Sequence, residues 1–163
     1  DNENFSAIVH TDHAANFNKV LSDITGEKSV ELLPVKEFGI DTALILSQRI
    51  EAGNLIIIAA DRIPVDGGRT LECNFFGSNA QFPQGPFILA SLLKCPVFFM
   101  FSYRINSTFY VSVEKAYEKL TFKRGARIEG IGQAMQKFAE HLEVHVRKAP
   151  KQWFNFYPFW GLK

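Results

Sequence analysis

The run Leu55-Ile56-Ile57-Ile58-Ala59-Ala60 decides the fold. Its three consecutive isoleucines show no alternation of apolar and polar positions. A continuous β-branched run of this length suits a strand covered on both faces, the central position in a parallel sheet. Just upstream, Ala43, Leu44, Ser47 and Ile50 share one helical face, with Gln48, Arg49 and Glu51 on the other. Asp41 is placed to cap that helix and Gly53 to stop it. Further back, Val30 to Leu33 reads as a strand closed by Pro34, and Ser6 to His10 as a buried strand. Between them, Thr11 or Asp12 caps a helix in which Ala14, Phe17, Leu21 and Ile24 recur at helical spacing, ended by Gly26. Strand, helix, strand, helix, strand in this order predicts an α/β fold, mixed, with a largely parallel central sheet flanked by helices.

Downstream, Asp61 to Arg69 is polar, contains Pro64 and Gly67-Gly68, and reads as a loop. Thr70 to Phe76 is a strand candidate, and Ser78 to Gln84 reads as loop. Gly85-Pro86 opens a helix that runs to about Lys94, since a proline in the first turn sacrifices no helical hydrogen bond. Pro96 begins a strand from Val97 to Tyr103, and Asn106-Ser107 is a turn. Phe109, Val111 and Val113 then alternate with Tyr110, Ser112 and Glu114, as in a strand whose second face is wetter. Arg127 to Lys148 reads as a long amphipathic helix with the stripe Ile128, Ile131, Met135, Phe138, Leu142 and Val146. Glu143 can pair with Arg147 across one turn, and Pro150 stops the helix. The tail from Gln152 to Trp160 is rich in aromatic residues, and no internal repeat or linker divides the chain, so residues 1–163 read as one domain.

Composition narrows the function classes. An apolar share of 47% supports a folded core, and 16 phenylalanines are more than a small core readily absorbs, so some are expected against a partner, a lipid or another piece of protein. Lys+Arg of 18 against Asp+Glu of 17 gives a net charge of +1, which provides no electrostatic case for a nucleic-acid partner. Cys73 and Cys95 are too few for a disulfide framework and read as buried thiols. No Cys/His cluster has zinc-ligand spacing, so no metal is expected. Phe87 to Tyr103 is the most apolar stretch, but Lys94 and Pro96 break it before it could span a bilayer. The first residue is Asp1, not Met, so the chain is expected to start part-way into a longer protein. A nucleotide-binding or hydrolase domain is disfavoured, because neither a Gly-rich phosphate loop nor a Gly-x-Ser-x-Gly elbow is present.

Three segments carry a family resemblance. They are Ala59-Ala60-Asp61-Arg62-Ile63-Pro64-Val65 with Gly68-Arg69; Phe75 to Ala90 (Phe75-Phe76-Gly77-Ser78-Asn79-Ala80-Gln81-Phe82-Pro83-Gln84-Gly85-Pro86-Phe87-Ile88-Leu89-Ala90) with Cys95-Pro96-Val97; and Ala149-Pro150-Lys151-Gln152-Trp153-Phe154-Asn155-Phe156, ending at Phe159-Trp160. In this order they resemble the lauroyl/myristoyl lipid A late-acyltransferase branch of the lysophospholipid acyltransferase superfamily, with the nearest likeness to acyltransferase-like proteins of bacterial glycolipid and aryl-polyene clusters. The resemblance runs from about Ile8 to Trp160. It implies a glycerolipid-acyltransferase-like fold and a peripheral enzyme on the cytoplasmic face of the bacterial inner membrane. Such an enzyme moves a fatty acyl group from an acyl-carrier-protein or coenzyme A thioester to a hydroxyl or amine of a lipid or glycolipid, with no bound cofactor. Its partners are the lipid acceptor, the acyl carrier protein and the inner-membrane surface.

Enzymes of this kind use a histidine followed five positions later by Asp or Glu, the histidine as general base and the carboxylate to hold its tautomer. Five positions after His10, His13, His141 and His145 stand Ala15, Asn18, Val146 and Pro150, so the motif is absent from these residues. In the family it precedes the segment that begins here at Asp1. The expectation is therefore that it lies upstream, that this is the C-terminal part of an acyltransferase domain with its N-terminal portion missing, and that the chain alone is inactive. A non-catalytic lipid-binding or acyl-thioester-binding module is the alternative. An edge left by truncation could support a homo-oligomer.

Several residues are candidates for substrate contact. Asp61 could orient the histidine, and Arg62 or Arg69 could bind a phosphate of the acceptor or of the donor's pantetheine arm; a structural Asp61–Arg62 salt bridge is the plainer reading. Gly85 and Pro86 open a helix whose N-terminus could hold an anion or a developing oxyanion, or be a plain helix start. Phe75, Phe82 and Phe87 could wall an acyl channel or be ordinary core. Pro96 reads as structural. Trp153, Phe154, Phe156, Tyr157, Phe159 and Trp160 could rest at a membrane interface or pack back on the protein. His10 and His13 read as a turn histidine and a helix-cap neighbour, and His141 with His145 as a solvated helix face.

Overall fold

A computed structural model describes residues 5–9, 30–34, 40–63, 67–155 and 158–161. The helix expected after Thr11, with His10 and His13, lies outside the described residues. The chain divides into two compact units, residues 1–60 and 61–163.

The first unit holds β1 (Phe5–Val9), β2 (Val30–Pro34), α1 (Ile40–Glu51) and β3 (Leu55–Ile58). The strands form one sheet in the order β2-β1-β3, parallel throughout, with Phe5 opposite both Val30 and Leu55. Among the described residues the triple-isoleucine strand therefore lies at an edge of this sheet and β1 lies in the middle, a correction to the expectation. Nor is the strand covered on both faces as its composition suggests: Leu55 is exposed and Ile56, Ile57 and Ile58 are half-buried, so apolar content alone fixes neither burial nor neighbours.

α1 also packs differently from its expected stripe. Leu46 is the buried anchor, while Leu44 is 60% exposed. Arg49, expected on the polar face, donates from Nη1 to the hydroxyl of Ser6 at 2.9 Å. Ser6 is buried, and a buried hydroxyl without a partner is costly, so this bond draws the arginine inward. Gly53 does stop the helix. It has φ +86°, its N–H donates to the Ile50 carbonyl, and Asn54 N–H donates to the Arg49 carbonyl, the paired bonds of a left-handed glycine cap.

The second unit holds β4 (Thr70–Phe75), β5 (Ser78–Pro83), α2 (Gly85–Leu93), β6 (Val97–Ile105), β7 (Thr108–Tyr117), α3 (Arg127–Lys148) and a 3₁₀ turn at Pro150–Gln152. β4 pairs antiparallel with β5, and β6 with β7, as separate two-stranded sheets. The mixed α/β class holds. A large parallel central sheet is not seen among the described residues, where parallel pairing is confined to β1, β2 and β3. The turns Phe76-Gly77 and Asn106-Ser107 join sequential strands locally, and so short a connection can only reverse the chain into an antiparallel neighbour.

β5 was expected to be loop. Its Ser, Asn, Gln and Pro content conceals a period of two, in which Ala80 and Phe82 are buried while Asn79 is exposed. Phe76 and Gly77 both adopt positive φ, at 53° and 79°, the conformation that matches the twist of a tight hairpin.

α3 spans the expected residues. Ile131, Met135, Phe138, Leu142 and Val146 are buried as expected, while Ile128 is exposed. Phe138 is the hub. Its ring lies 6.4 Å from Phe82, 6.0 Å from Phe87, 5.2 Å from Phe99 and 5.8 Å from Phe101. One aromatic side chain thus ties both hairpins and α2 to α3. The faces of β7 invert the expectation: Phe109, Val111 and Val113 are 72%, 64% and 59% exposed, and Ser112 with Glu114 is half-buried.

Candidate active-site surface

Asp61 and Arg62 meet the tail that follows α3. Arg62 donates from Nη2 to the carbonyl of Phe154 at 2.8 Å. Its Nε lies 4.0 Å from Asp61 Oδ2, the outer limit of an ion pair, and at a partly exposed site such a contact adds little by itself. The indole N–H of Trp153 also points to Asp61 Oδ2, at 3.4 Å. The adjacent Asp61 and Arg62 are thus each held by a residue 92 positions further along the chain, Trp153 and Phe154 respectively.

Arg69 and the opening of α2 form a second group. The backbone N–H of Gln84 donates to the Arg69 carbonyl at 2.9 Å, and the Gln84 side-chain amide donates to the Thr70 carbonyl at 2.8 Å. These bonds bring exposed Arg69 beside half-buried Gly85 and buried Pro86. Pro86 has no N–H, and the N–H groups of Phe87 and Ile88 both donate to the Gln84 carbonyl. The first turn is thus largely occupied by its own backbone.

Phe75, Phe82 and Phe87 are all buried. Phe75 is the densest meeting point, within 4.6 to 6.0 Å of Phe76, Phe82, Trp153, Phe159 and Trp160. The tail aromatics pack back on this ring. Phe159 is buried, and the indole N–H of Trp160 donates to the Phe75 carbonyl at 2.9 Å. Phe154 and Trp160 keep substantial exposure, and Phe156 and Tyr157 lie outside the described residues.

The turn at Phe76-Gly77 is pinned by α3. Glu143 Oε2 accepts the Phe76 N–H at 2.8 Å, and Arg147, paired with Glu143, lies 4.7 Å over the Phe76 ring. The Arg147 guanidinium, and then the Phe76 N–H, hold the Glu143 carboxyl below its ordinary range. Alongside, Gln136 donates to the Asn74 carbonyl and accepts the Asn74 N–H, extending the hold along β4.

Sequence reading missed one ionisable cluster. Glu114 on β7 faces His141 Nδ1 at 2.9 Å and His145 Nε2 at 3.6 Å. The histidines are not a shared solvated face. His145 is buried, stacks on Phe101 at 4.4 Å, and has an Nδ1 with no hydrogen-bond partner. Burial, then the nearby Lys148 charge, lower the His145 pKa. A hydrogen bond from Ser112, then the two histidines, lower that of Glu114. The histidine spacing was visible in sequence; the carboxylate opposite them comes from a different element. Among the described residues no group of three or more His, Cys, Asp or Glu is arranged to hold a metal ion.

Both cysteines are free. Burial pushes the Cys73 thiol up to about 11 and raises that of Cys95, which keeps both protonated and poorly nucleophilic. No helix among the described residues is long and apolar enough to cross a membrane.

The described residues thus combine a mixed α/β architecture with an Asp61-Arg62 pair held by the tail that follows α3. The profile of a family described as bacterial lipid A biosynthesis acyltransferase matches residues 2–161, and the chain belongs to that family. Membership implies an acyl-carrier-protein donor and a lipid acceptor. A search of curated proteins finds no match.

Proposed function

We propose that this chain supplies substrate-binding and positioning surface for transfer of a fatty acyl group from an acyl-carrier-protein or coenzyme A thioester to a hydroxyl or amine of a lipid or glycolipid. The family match over residues 2–161 carries this reading. In the reaction, a base takes the acceptor proton, the acceptor atom bonds to the thioester carbonyl carbon, and the C–S bond breaks to release the thiol. None of the four histidines of the sequence stands five positions before a carboxylate, so the proposal assigns proton abstraction to no residue of this chain. Arg62 and Arg69 are assigned to phosphate recognition, since a guanidinium matches two phosphate oxygens at once. Asp61 orients Arg62. Gly85 and Pro86 shape the opening of α2 beside Arg69, and Phe75, Phe82 and Phe87 form the apolar wall behind them. The site of action is the cytoplasmic face of the inner membrane.

Incubation of these 163 residues with acyl-carrier-protein thioesters and candidate lipids tests the assignment of the base. No turnover is expected, and turnover above background refutes it. Arg62→Ala in the intact acyltransferase is expected to lower activity while leaving the melting temperature nearly unchanged; wild-type rates would show Arg62 dispensable. The missing histidine motif also favours a second reading, a module that binds lipid or acyl thioester without chemistry. Binding by the intact protein with no transfer of label to any acceptor would select that reading.

A further inference from the structure

We propose that Trp153 is a positioning residue that, through Asp61, holds Arg62 ready for a phosphate group of the bound substrate. The inference rests on the acyl-transfer reading above. Trp153 and Trp160 use their indole N–H groups differently. Trp160 donates to a backbone carbonyl, that of Phe75, as expected for an aromatic whose role is packing. Trp153 instead directs its N–H at Asp61 Oδ2, the same oxygen that faces Arg62 Nε. One carboxylate oxygen is thereby shared between an indole and a guanidinium. The next residue, Phe154, takes the Nη2 end of the same guanidinium through its carbonyl. Neither contact uses Nη1.

The indole is itself fixed from behind. Its ring lies 5.2 Å from Phe75, 4.9 Å from Phe159 and 6.1 Å from Trp160. Where the tail leaves α3, the Gln152 side-chain amide accepts the Arg104 N–H at 2.8 Å and donates to the Arg104 carbonyl, so the chain enters Trp153 from a pinned position. Packing therefore sets the place of the N–H, the N–H limits the carboxylate, and the carboxylate with the Phe154 carbonyl limits the guanidinium. An arginine held in advance loses less side-chain entropy on meeting a ligand. The ligand class is a phosphate ester, from the acceptor's headgroup or from the pantetheine arm of the donor.

Trp153→Phe keeps an aromatic ring at this position while removing the N–H together with the five-membered ring that carries it, and Arg62→Ala removes the phosphate contact. Both are made in the intact acyltransferase, and KM is measured separately for donor and acceptor. Loss of one hydrogen bond of ordinary strength corresponds to a few-fold to about tenfold rise. The expected result is such a rise in Trp153→Phe for the same substrate whose KM rises in Arg62→Ala, with kcat little changed. The affected substrate identifies the source of the phosphate. A second readout does not need turnover. In the intact protein labelled with ¹⁵N-tryptophan, the Trp153 indole resonance, assigned by its loss in Trp153→Phe, is expected to move in Asp61→Asn. An unchanged KM in Trp153→Phe beside an impaired Arg62→Ala overturns the Trp153 assignment alone. An unmoved indole resonance in Asp61→Asn overturns it as well. Unchanged kinetics in Arg62→Ala overturn both this inference and the phosphate role on which it rests.

Discussion

The two hairpins of the second unit share a topology and differ in how they treat their faces. In β4–β5, Leu71, Cys73 and Phe75 share a face with Ala80 and Phe82, and the opposite face carries Glu72 bonded by Asn79 and Gln81. Apolar residues go in and polar ones out. In β6–β7, Phe99 and Phe101 turn to α3 together with Ser112 and Glu114, while Phe98, Met100, Val111 and Val113 face outward. Hydropathy alone orders the first hairpin. In the second, β6 is apolar on both sides, so hydropathy does not choose a face, and the histidines of α3 draw Glu114 inward instead. Polar complementarity settles orientation where apolar content is balanced.

That contrast can be broken or sharpened by substitution. Phe75→Ala is expected to have the largest effect, a loss of about 3–5 kcal/mol in unfolding free energy, because it empties the centre of the β4–β5 face and its tail cluster. Chemical denaturation measures it; a loss below about 1 kcal/mol would place the ring outside the core, since such small losses belong to surface positions. Glu143→Gln comes next. It removes the charge that binds the Phe76 N–H and Arg147, and amide exchange at Phe76 is expected to accelerate while exchange in β7 stays unchanged. Equal acceleration in both hairpins would deny Glu143 a local role.

The pH response nearest neutrality belongs to β6–β7. The His145 pKa is lowered in the folded protein, so between that value and the unfolded value near 6.5 the unfolded chain holds the extra proton. Stability is full above about pH 6.5 and falls as pH drops into that window. Glu114, also lowered, adds a further loss below its unfolded pKa, near 4.5. His145→Phe is expected to flatten the slope of melting temperature against pH between about 5 and 7; an unaltered slope would assign it to other groups. Val113→Thr, on the outward face, is expected to change stability by no more than about 0.5 kcal/mol, the range of surface substitutions. A cost above about 2 kcal/mol would show that this face is covered in solution, as buried apolar positions are.

Legibility followed the range of the forces involved. α3 was readable to its ends because its stripe repeats within one helix, and the left-handed cap at Gly53 because it needs only neighbouring residues. β5 was not readable, since its period of two is carried by Ala80 and Phe82 among residues typical of loops. Of the candidate site, the Asp61-Arg62 pair was visible, but its indole and carbonyl partners were not, because they come from the far end of the chain.

The sequence by itself determined the mixed α/β class, the long helix, the helix stops at Gly53 and Pro150 and the segments that place the chain among lipid A acyltransferases. Only the tertiary structure decided which strand sits in the middle of the parallel sheet, which face of β7 turns inward, and which indole reaches Asp61. Local periodicity and turn chemistry act between residues a few positions apart and leave their mark in sequence. Choices among equally apolar faces, or among distant polar partners, are settled only when the chain brings those groups within a few ångströms.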